Sequence, residues 1–220
     1  SFGGVRNEGA LARARFVSMQ SVYEMLGYPA PKRVVVLGIH GAGKTSALER
    51  VKDAYSSTAR GLHPDQIIPT VGMNMARVSG ANLPMEMTFW DLGGAFGLRG
   101  IWENYFADAD ACAYVVDGSD EDALEEAMVE LERALRNKKF SKRMPVLIIS
   151  SKIDLSGPEG VEMVRASCED VFARVDASQS ARSWSVFPID ANRGLGVKPA
   201  IEWLTSVLAP TNSFYFSAPV

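Results

Sequence analysis

The chain has little cysteine: only Cys112 and Cys168 among 220 residues. Each lies in an apolar pattern, at residues 109–116 and 161–175, and no metal-ligand spacing surrounds either. This excludes a disulfide framework and a cysteine-built metal centre, and leaves two reduced thiols in a core. No apolar run approaches the roughly 20 residues that a membrane-spanning helix needs. No signal-peptide pattern is present, and neither an internal repeat nor a low-complexity tract interrupts the chain. The net charge is only −3, with a pI near 5.5, which gives no whole-protein attraction to nucleic acid or anionic lipid. The reduced thiols lead to the expectation of a cytoplasmic protein. Its 47% hydrophobic and 22% charged residues suit one α/β domain with appendages. The sequence begins at Ser1 rather than Met, so a myristoylation signal is not readable from it.

The most informative stretch is Gly38-Ile39-His40-Gly41-Ala42-Gly43-Lys44-Thr45, a G-x-x-x-x-G-K-[ST] match. It follows the apolar run Val34-Val35-Val36-Leu37 and precedes a helical pattern at residues 46–55, the context that a phosphate-binding P-loop requires. The glycines let backbone N–H groups close on phosphate oxygens. A helix beginning near Lys44 points its positive end at the same anion. Lys44 would meet the β- and γ-phosphates, and the Thr45 hydroxyl would ligate Mg2+.

Taken in order, residues 1–9 are polar and glycine-containing. Residues 11–26 carry a helical apolar face of Phe16, Met19, Tyr23 and Leu26, with Arg13 and Arg15 at its start. This helix either packs on the domain or dips into a membrane interface, and the few basic residues favour packing. Residues 56–68 are polar and aperiodic and form a long loop, which in a compact domain usually has a function. Residues 71–79 and 85–90 flank Gly80-Ala81-Asn82-Leu83-Pro84 and predict a hairpin. A short amphipathic helix is expected at residues 98–106. Strands follow at 111–116, 145–150 and 184–188, and helices after Ser119-Asp120, at 161–175 and at 197–208. Lys138 and Lys139 read as a solvated helix terminus rather than a nucleic-acid patch. The alternation predicts a three-layer α/β fold: a six-stranded, mostly parallel sheet with one antiparallel edge strand, plus the N-terminal helix. The expected division is an N-terminal segment at 1–28, a nucleotide-binding domain at 29–209 and a tail at 210–220.

Ligands in such sheets lie at the carboxyl ends of the strands, and the unusual residues gather there. Asp91, followed by Gly93-Gly94, suits a magnesium shell reached through water. Gly94 can offer a bare N–H to a γ-phosphate. Asp154, after Lys152, matches the two adjacent donors of guanine, which adenine does not present; it also reads as a capping residue for the Ser156-Gly157-Pro158 turn. The Thr70 hydroxyl, at the end of the long loop, would complete the magnesium shell when a γ-phosphate is present.

In these residues the chain resembles the small GTPases of the ADP-ribosylation factor (Arf) and Arf-like family, over residues 26–208. The likeness rests on residues 37–46, Ile68-Pro69-Thr70-Val71-Gly72, Phe89-Trp90-Asp91-Leu92-Gly93-Gly94 and Leu98-Arg99-Gly100-Ile101-Trp102-Glu103-Asn104-Tyr105-Phe106. It implies a G domain binding GTP or GDP with Mg2+. The nucleotide would contact His40, Gly41, Ala42, Gly43, Lys44, Thr45, Ser46, Thr70, Gly94, Ser151, Lys152, Asp154, Ala191 and Asn192, and the metal Thr45, Thr70 and, through water, Asp91. Switch I would be the loop ending at Thr70, and switch II residues 91–106. Met73, Trp90 and Tyr105 occupy the places of the family's effector-contacting aromatic triad, although Met73 reads equally as a core residue. The implied partners are effectors, an exchange factor and an activating protein, with membrane contact through the N-terminal helix as a peripheral option.

The sequence departs from the family at four points. Ala95 stands where the family has the Gln that orients the attacking water, so hydrolysis is expected to be slow. His40 replaces a P-loop Asp and either contacts phosphate or faces solvent. Ser151 replaces an Asn and is expected to lose bonds to the P-loop and the base. Switch I is also longer than the family norm. The readings that follow are a nucleotide-dependent switch acting in membrane trafficking or in ciliary or cytoskeletal transport, a GTP-holding scaffold that scarcely hydrolyses, and a P-loop small-molecule kinase. The last is disfavoured by Lys152-x-Asp154 and by the lack of an acceptor-site base.

Overall fold

The computed structural model describes residues 30–56, 61–63, 66–80, 82–176 and 182–209. The expected helix at 11–26 and the tail at 210–220 lie outside them. The strands are β1 (Lys32–Leu37), β2 (Met73–Val78), β3 (Met87–Leu92), β4 (Ala111–Asp117), β5 (Val146–Ser151) and β6 (Trp184–Ile189). The helices are α1 (Lys44–Tyr55), α2 (Glu121–Arg136), α3 (Ile153–Val175) and α4 (Val197–Leu208). The sheet order is β2-β3-β1-β4-β5-β6, with β2 antiparallel to β3 and every other pairing parallel. α1 packs beside α4 and α2 beside α3, as helices divided between two faces of a sheet do. No helix among the described residues is long and apolar enough to cross a membrane.

The central strands are apolar because both faces are covered. Val34, Val35, Val36 and Leu37 are all buried, as is every residue of β4. α2 begins where its sequence signals place it: the Asp120 side chain accepts from the Ala123 N–H at 3.0 Å, and Glu121 and Asp122 occupy the positive first turn. Its apolar stripe, Leu124, Leu131 and Leu135 with Met128, is buried against the sheet and α3.

Three boundaries differ from expectation. The hairpin's first strand begins at Met73 rather than residue 71, because Gly72 turns the chain at φ 85° and its carbonyl accepts from the Gly93 N–H. The second strand runs on to Leu92, so Asp91 lies within it, opposite Asn74 and Val36. α3 gains a turn from Ile153, broken at Gly157 (φ 62°, ψ −166°), with Pro158 restarting the helix. A proline tolerates a first helical turn, where its missing N–H has no intrahelical role. The expected amphipathic helix at 98–106 is instead a 3-10 segment over Phe96–Asn104, followed by a turn at Phe106–Asp108. Two of its side chains reach back: Trp102 Nε1 donates to the Gly93 carbonyl at 3.0 Å and Arg99 Nε to the Gly94 carbonyl at 2.9 Å. With Gly97 and Gly100 weakening any α-helix, those tethers shape the segment.

Candidate functional site

The loop between β1 and α1 carries the glycine motif at the carboxyl edge of the sheet. Gly43 precedes the helix at φ 86°, a left-handed conformation that suits glycine. His40 and Gly41 are exposed, Ala42 is buried, and Ser46 lies in the first turn of α1. The Lys44 side chain is buried and its Nζ donates to the Ile39 carbonyl at 2.8 Å. Burial pushes its pKa down to about 8, with the Asp91 carboxylate opposing and the Arg99 guanidinium adding to the fall. A buried ammonium in such a place is set to gain from an arriving polyanion.

Three side-chain oxygens from three elements meet beside it. Thr45 Oγ1 donates to Asp91 Oδ2 at 2.6 Å, Thr70 Oγ1 to the same oxygen at 3.2 Å, and the two hydroxyls are 3.1 Å apart. Asp91 is fully buried, and burial raises its pKa against the pull of the Thr45 bond, Lys44 and the Thr70 bond. Its second oxygen, Oδ1, is buried without a hydrogen-bond partner. Two hydroxyls and one carboxylate, with one of its oxygens unpartnered, are hard donors that suit Mg2+ completed by water and phosphate. No group of three or more His, Cys, Asp or Glu gathers among the described residues, so no all-protein cage competes with this arrangement.

Gly94 closes the pocket. A Cβ there would stand 2.4 Å from the Gly38 carbonyl oxygen, 2.6 Å from the Ile39 carbonyl carbon and 2.4 Å from Lys44 Nζ. Only glycine brings the backbone this near the P-loop. The pocket, about 190 Å³, is lined by the P-loop, residues 67–70 and Gly94. Of the long loop leading to it, Gly61 and Leu62 are fastened to α1. Leu62 N donates to Glu49 Oε2 at 2.7 Å, Arg50 Nη2 to the Leu62 carbonyl at 2.6 Å, and Gly61 N to Asp53 Oδ1 at 2.6 Å.

At the far end of the rim, Asp154 Oδ2 accepts from Asn192 Nδ2 at 3.1 Å. Ala191 lies in the same turn, where Asp190 Oδ1 accepts from Asn192 N at 2.8 Å. Lys152 is the one non-glycine residue at positive φ among the described residues, at 57°, and its ammonium binds Asp117 Oδ2. Burial works to raise the Asp117 pKa, but bonds from Lys152 and Ser119 outweigh it and hold the carboxyl below its usual range. Ser151 ends β5 rather than opening the loop, and its hydroxyl donates to the Ala42 carbonyl at 2.7 Å and lies 3.1 Å from the Val116 carbonyl. The expected loss of the P-loop bond is therefore incorrect. The shorter side chain still reaches because the end of β5 sets it against the P-loop: an ideal Cβ on Gly43 would be 3.4 Å from Ser151 Oγ.

Met73 is exposed, while Trp90 and Tyr105 are half-buried, their rings 5.5 Å apart. The core alternative for Met73 is thus set aside. Exposed Met75, opposite Trp90 in the hairpin, extends this apolar surface beyond the three residues expected, and Ile68, Val71 and Phe96 are exposed as well.

Sequence reasoning passed over three participants. Asp117 was readable as a strand-end acid, but its pairing with Lys152 was not. Arg99, side chain 4% exposed, bonds to Gly94 and pairs with Glu126 at 2.7 Å and Glu130 at 3.2 Å. Trp102 ties down Gly93. Arg99 and Trp102 stand in the quoted 98–106 stretch, but that pattern does not announce their contacts with Gly93, Gly94 and α2.

A glycine cradle at a strand end, a buried lysine and a threonine-aspartate cluster, set on this sheet order, define a P-loop GTPase fold. The comparisons agree. The model of the ADP-ribosylation factor family matches residues 19–208, and the chain belongs to that family. It is 33% identical over 171 residues to ADP-ribosylation factor-like protein 3 of Saccharomyces cerevisiae, spanning 78% of this chain and 82% of that one. To human ADP-ribosylation factor-related protein 1 it is 31% identical over 175 residues, with the same coverage. Among solved structures, the Arl6 BBS3 small GTPase of Trypanosoma brucei, determined with the bound nucleotide analogue GppNp, superposes with a TM-score of 0.64 at 25% identity. That match covers 81% of this chain and 98% of the other.

Proposed function

We propose that the protein is a guanine-nucleotide-dependent switch that binds GTP or GDP with Mg2+ and engages effectors in the GTP state. The observation that carries the reading is the meeting of Thr45, Thr70 and Asp91 at one carboxylate oxygen. It links the P-loop, the end of the long loop and β3, the three elements that a triphosphate and its metal would hold together. The P-loop amides and Lys44 bind the phosphates. Thr45 and Thr70 would hold Mg2+, with Asp91 acting through water, and the ion would supply neutralising positive charge for the phosphates. The Gly94 N–H senses the γ-phosphate, and Asp154 reads guanine. Asn192 braces Asp154, Ala191 offers its N–H to the base, and Lys152 covers it. Met73, Trp90, Tyr105 and their apolar neighbours then form the effector face, fed by an exchange factor and an activating protein. The N-terminal helix would couple nucleotide state to a membrane in trafficking or in ciliary or cytoskeletal transport.

Hydrolysis is expected to be slow, because the Ala95 side chain carries no polar atom. That same residue favours a second reading, a scaffold that holds GTP without turning it over. Competition of GTP, GDP and ATP for a fluorescent guanine nucleotide tests the primary reading. Preference for GTP and GDP supports it, and ATP preference overturns it. Single-turnover hydrolysis, with and without an activating protein, separates switch from scaffold.

A further inference from the structure

We propose that His40 supplies the polar contact to the attacking water and the terminal phosphate that Ala95 is unable to make. The inference rests on reading the pocket as the guanine-triphosphate site. Of the side chains around that pocket, Ile67, Ile68 and Pro69 are apolar, Lys44 is tied to the P-loop, and Thr45 and Thr70 are tied to Asp91. Ser46 sits one residue beyond Thr45, on the helix. His40 lines the same pocket, is exposed to it, and has no hydrogen-bond or ion-pair partner among the described residues.

Its place in the loop supports this. Gly94 approaches the P-loop so closely that its ideal Cβ would stand 2.6 Å from the Ile39 carbonyl carbon, the atom bonded to the His40 nitrogen. The His40 backbone therefore begins next to the glycine that would receive the γ-phosphate, the His40 residue lines that same pocket, and Ala95 begins one peptide further on. Imidazole is a water-orienting group in its neutral form and a phosphate donor in its cationic form. In the reaction, the water oxygen bonds to the γ-phosphorus as the bond to the β–γ bridging oxygen breaks. The electron pair leaves on GDP, and the water's proton passes to inorganic phosphate and solvent. His40 orients the water and retains no proton.

The test is single-turnover hydrolysis by the full chain loaded with GTP and magnesium, with nucleotide affinities measured in parallel. His40→Ala is expected to slow hydrolysis by about 10–100-fold while GTP and GDP affinities shift by less than about threefold, since a positioned polar group acts on the barrier more than on binding. His40→Gln, which keeps a hydrogen-bonding group, should retain most of the rate. Ala95→Gln placed in the His40→Ala background should recover it, because the two side chains would serve one role. An unchanged or faster rate in His40→Ala overturns the proposal, as does a wild-type protein that binds GTP yet hydrolyses none of it. Failure to bind GTP at all overturns the nucleotide reading itself, so the two failures are distinguishable.

Discussion

The Ser151 hydroxyl donates to the Ala42 carbonyl at 2.7 Å, joining the end of β5 to the P-loop across 109 residues of sequence. Through this bond the end of β5, next to the base-reading residues, holds the loop that cradles phosphate. Ser151→Ala would leave the buried Ala42 carbonyl unpaired, a loss of about 1–3 kcal/mol. The expected result is a matching fall in stability by urea denaturation, together with faster GDP release. Unchanged release would show that the loop keeps its shape without the bond.

Lys44 makes nucleotide binding pH-dependent. Its pKa in the free protein is lowered from 10.5 to about 8. Below that value the ammonium is already present to meet phosphate. Above it, binding must take up a proton, so GDP affinity should be flat below pH 8 and weaken above it, by at most about tenfold per pH unit. For the free protein the sign is opposite: the unfolded chain holds this proton up to the ordinary lysine range, so this group's contribution to stability rises with pH between the two values. Calorimetry in buffers of different ionisation enthalpy should detect proton uptake near pH 9, and Lys44→Met should abolish both the uptake and most of the affinity.

Arg99 is expected to couple switch II to α2. Its buried guanidinium holds the Gly94 carbonyl and faces the buried Glu130 and the half-exposed Glu126. Arg99→Met should cost about 1–3 kcal/mol, because it leaves the buried Gly94 carbonyl without its donor and Glu130 with only the exposed Arg133, at 2.9 Å. Glu126→Gln should cost about 0–1 kcal/mol, since that carboxylate stays hydrated. Equal losses in thermal melts would contradict the assigned burial.

Gly94→Ala drives a Cβ to 2.4 Å from the Gly38 carbonyl oxygen. Backbone on both sides leaves little room to yield, so Gly94 must retreat from the P-loop. The affinity for a non-hydrolysable GTP analogue should fall by more than about tenfold while GDP affinity holds, if only the γ-phosphate needs this approach. A parallel loss of GDP would place the fault in the P-loop instead.

Asp154→Asn replaces an acceptor by an amide that mismatches guanine's two donors. Guanine affinity should drop by a factor on the order of 100, and discrimination against adenine should shrink with it. Retained selectivity in the competition assay would assign base recognition elsewhere.

The phosphate-binding end was legible because its signal is local. One strand, one glycine loop and one Lys-Thr pair are contiguous, and backbone sterics allow few arrangements of them. Strand and helix alternation likewise carried the sheet, since burial on both faces writes itself as unbroken apolar runs such as residues 34–37. Segments held by side chains from elsewhere were not legible. The 3-10 form of residues 96–104 depends on Trp102 and Arg99 reaching back to Gly93 and Gly94.

By itself, then, the chain's sequence determined the fold class, the nucleotide cradle and the residues at each strand end. Periodicity and turn chemistry act over a few residues and survive without knowledge of the rest. Only the tertiary structure decided that Ser151 still grips the P-loop, that Lys152 pairs with Asp117, that Arg99 braces Gly94 and that Met73 faces solvent. Those facts depend on distances between parallel strands and the helices over them, which the packing of the whole domain sets and no short pattern encodes.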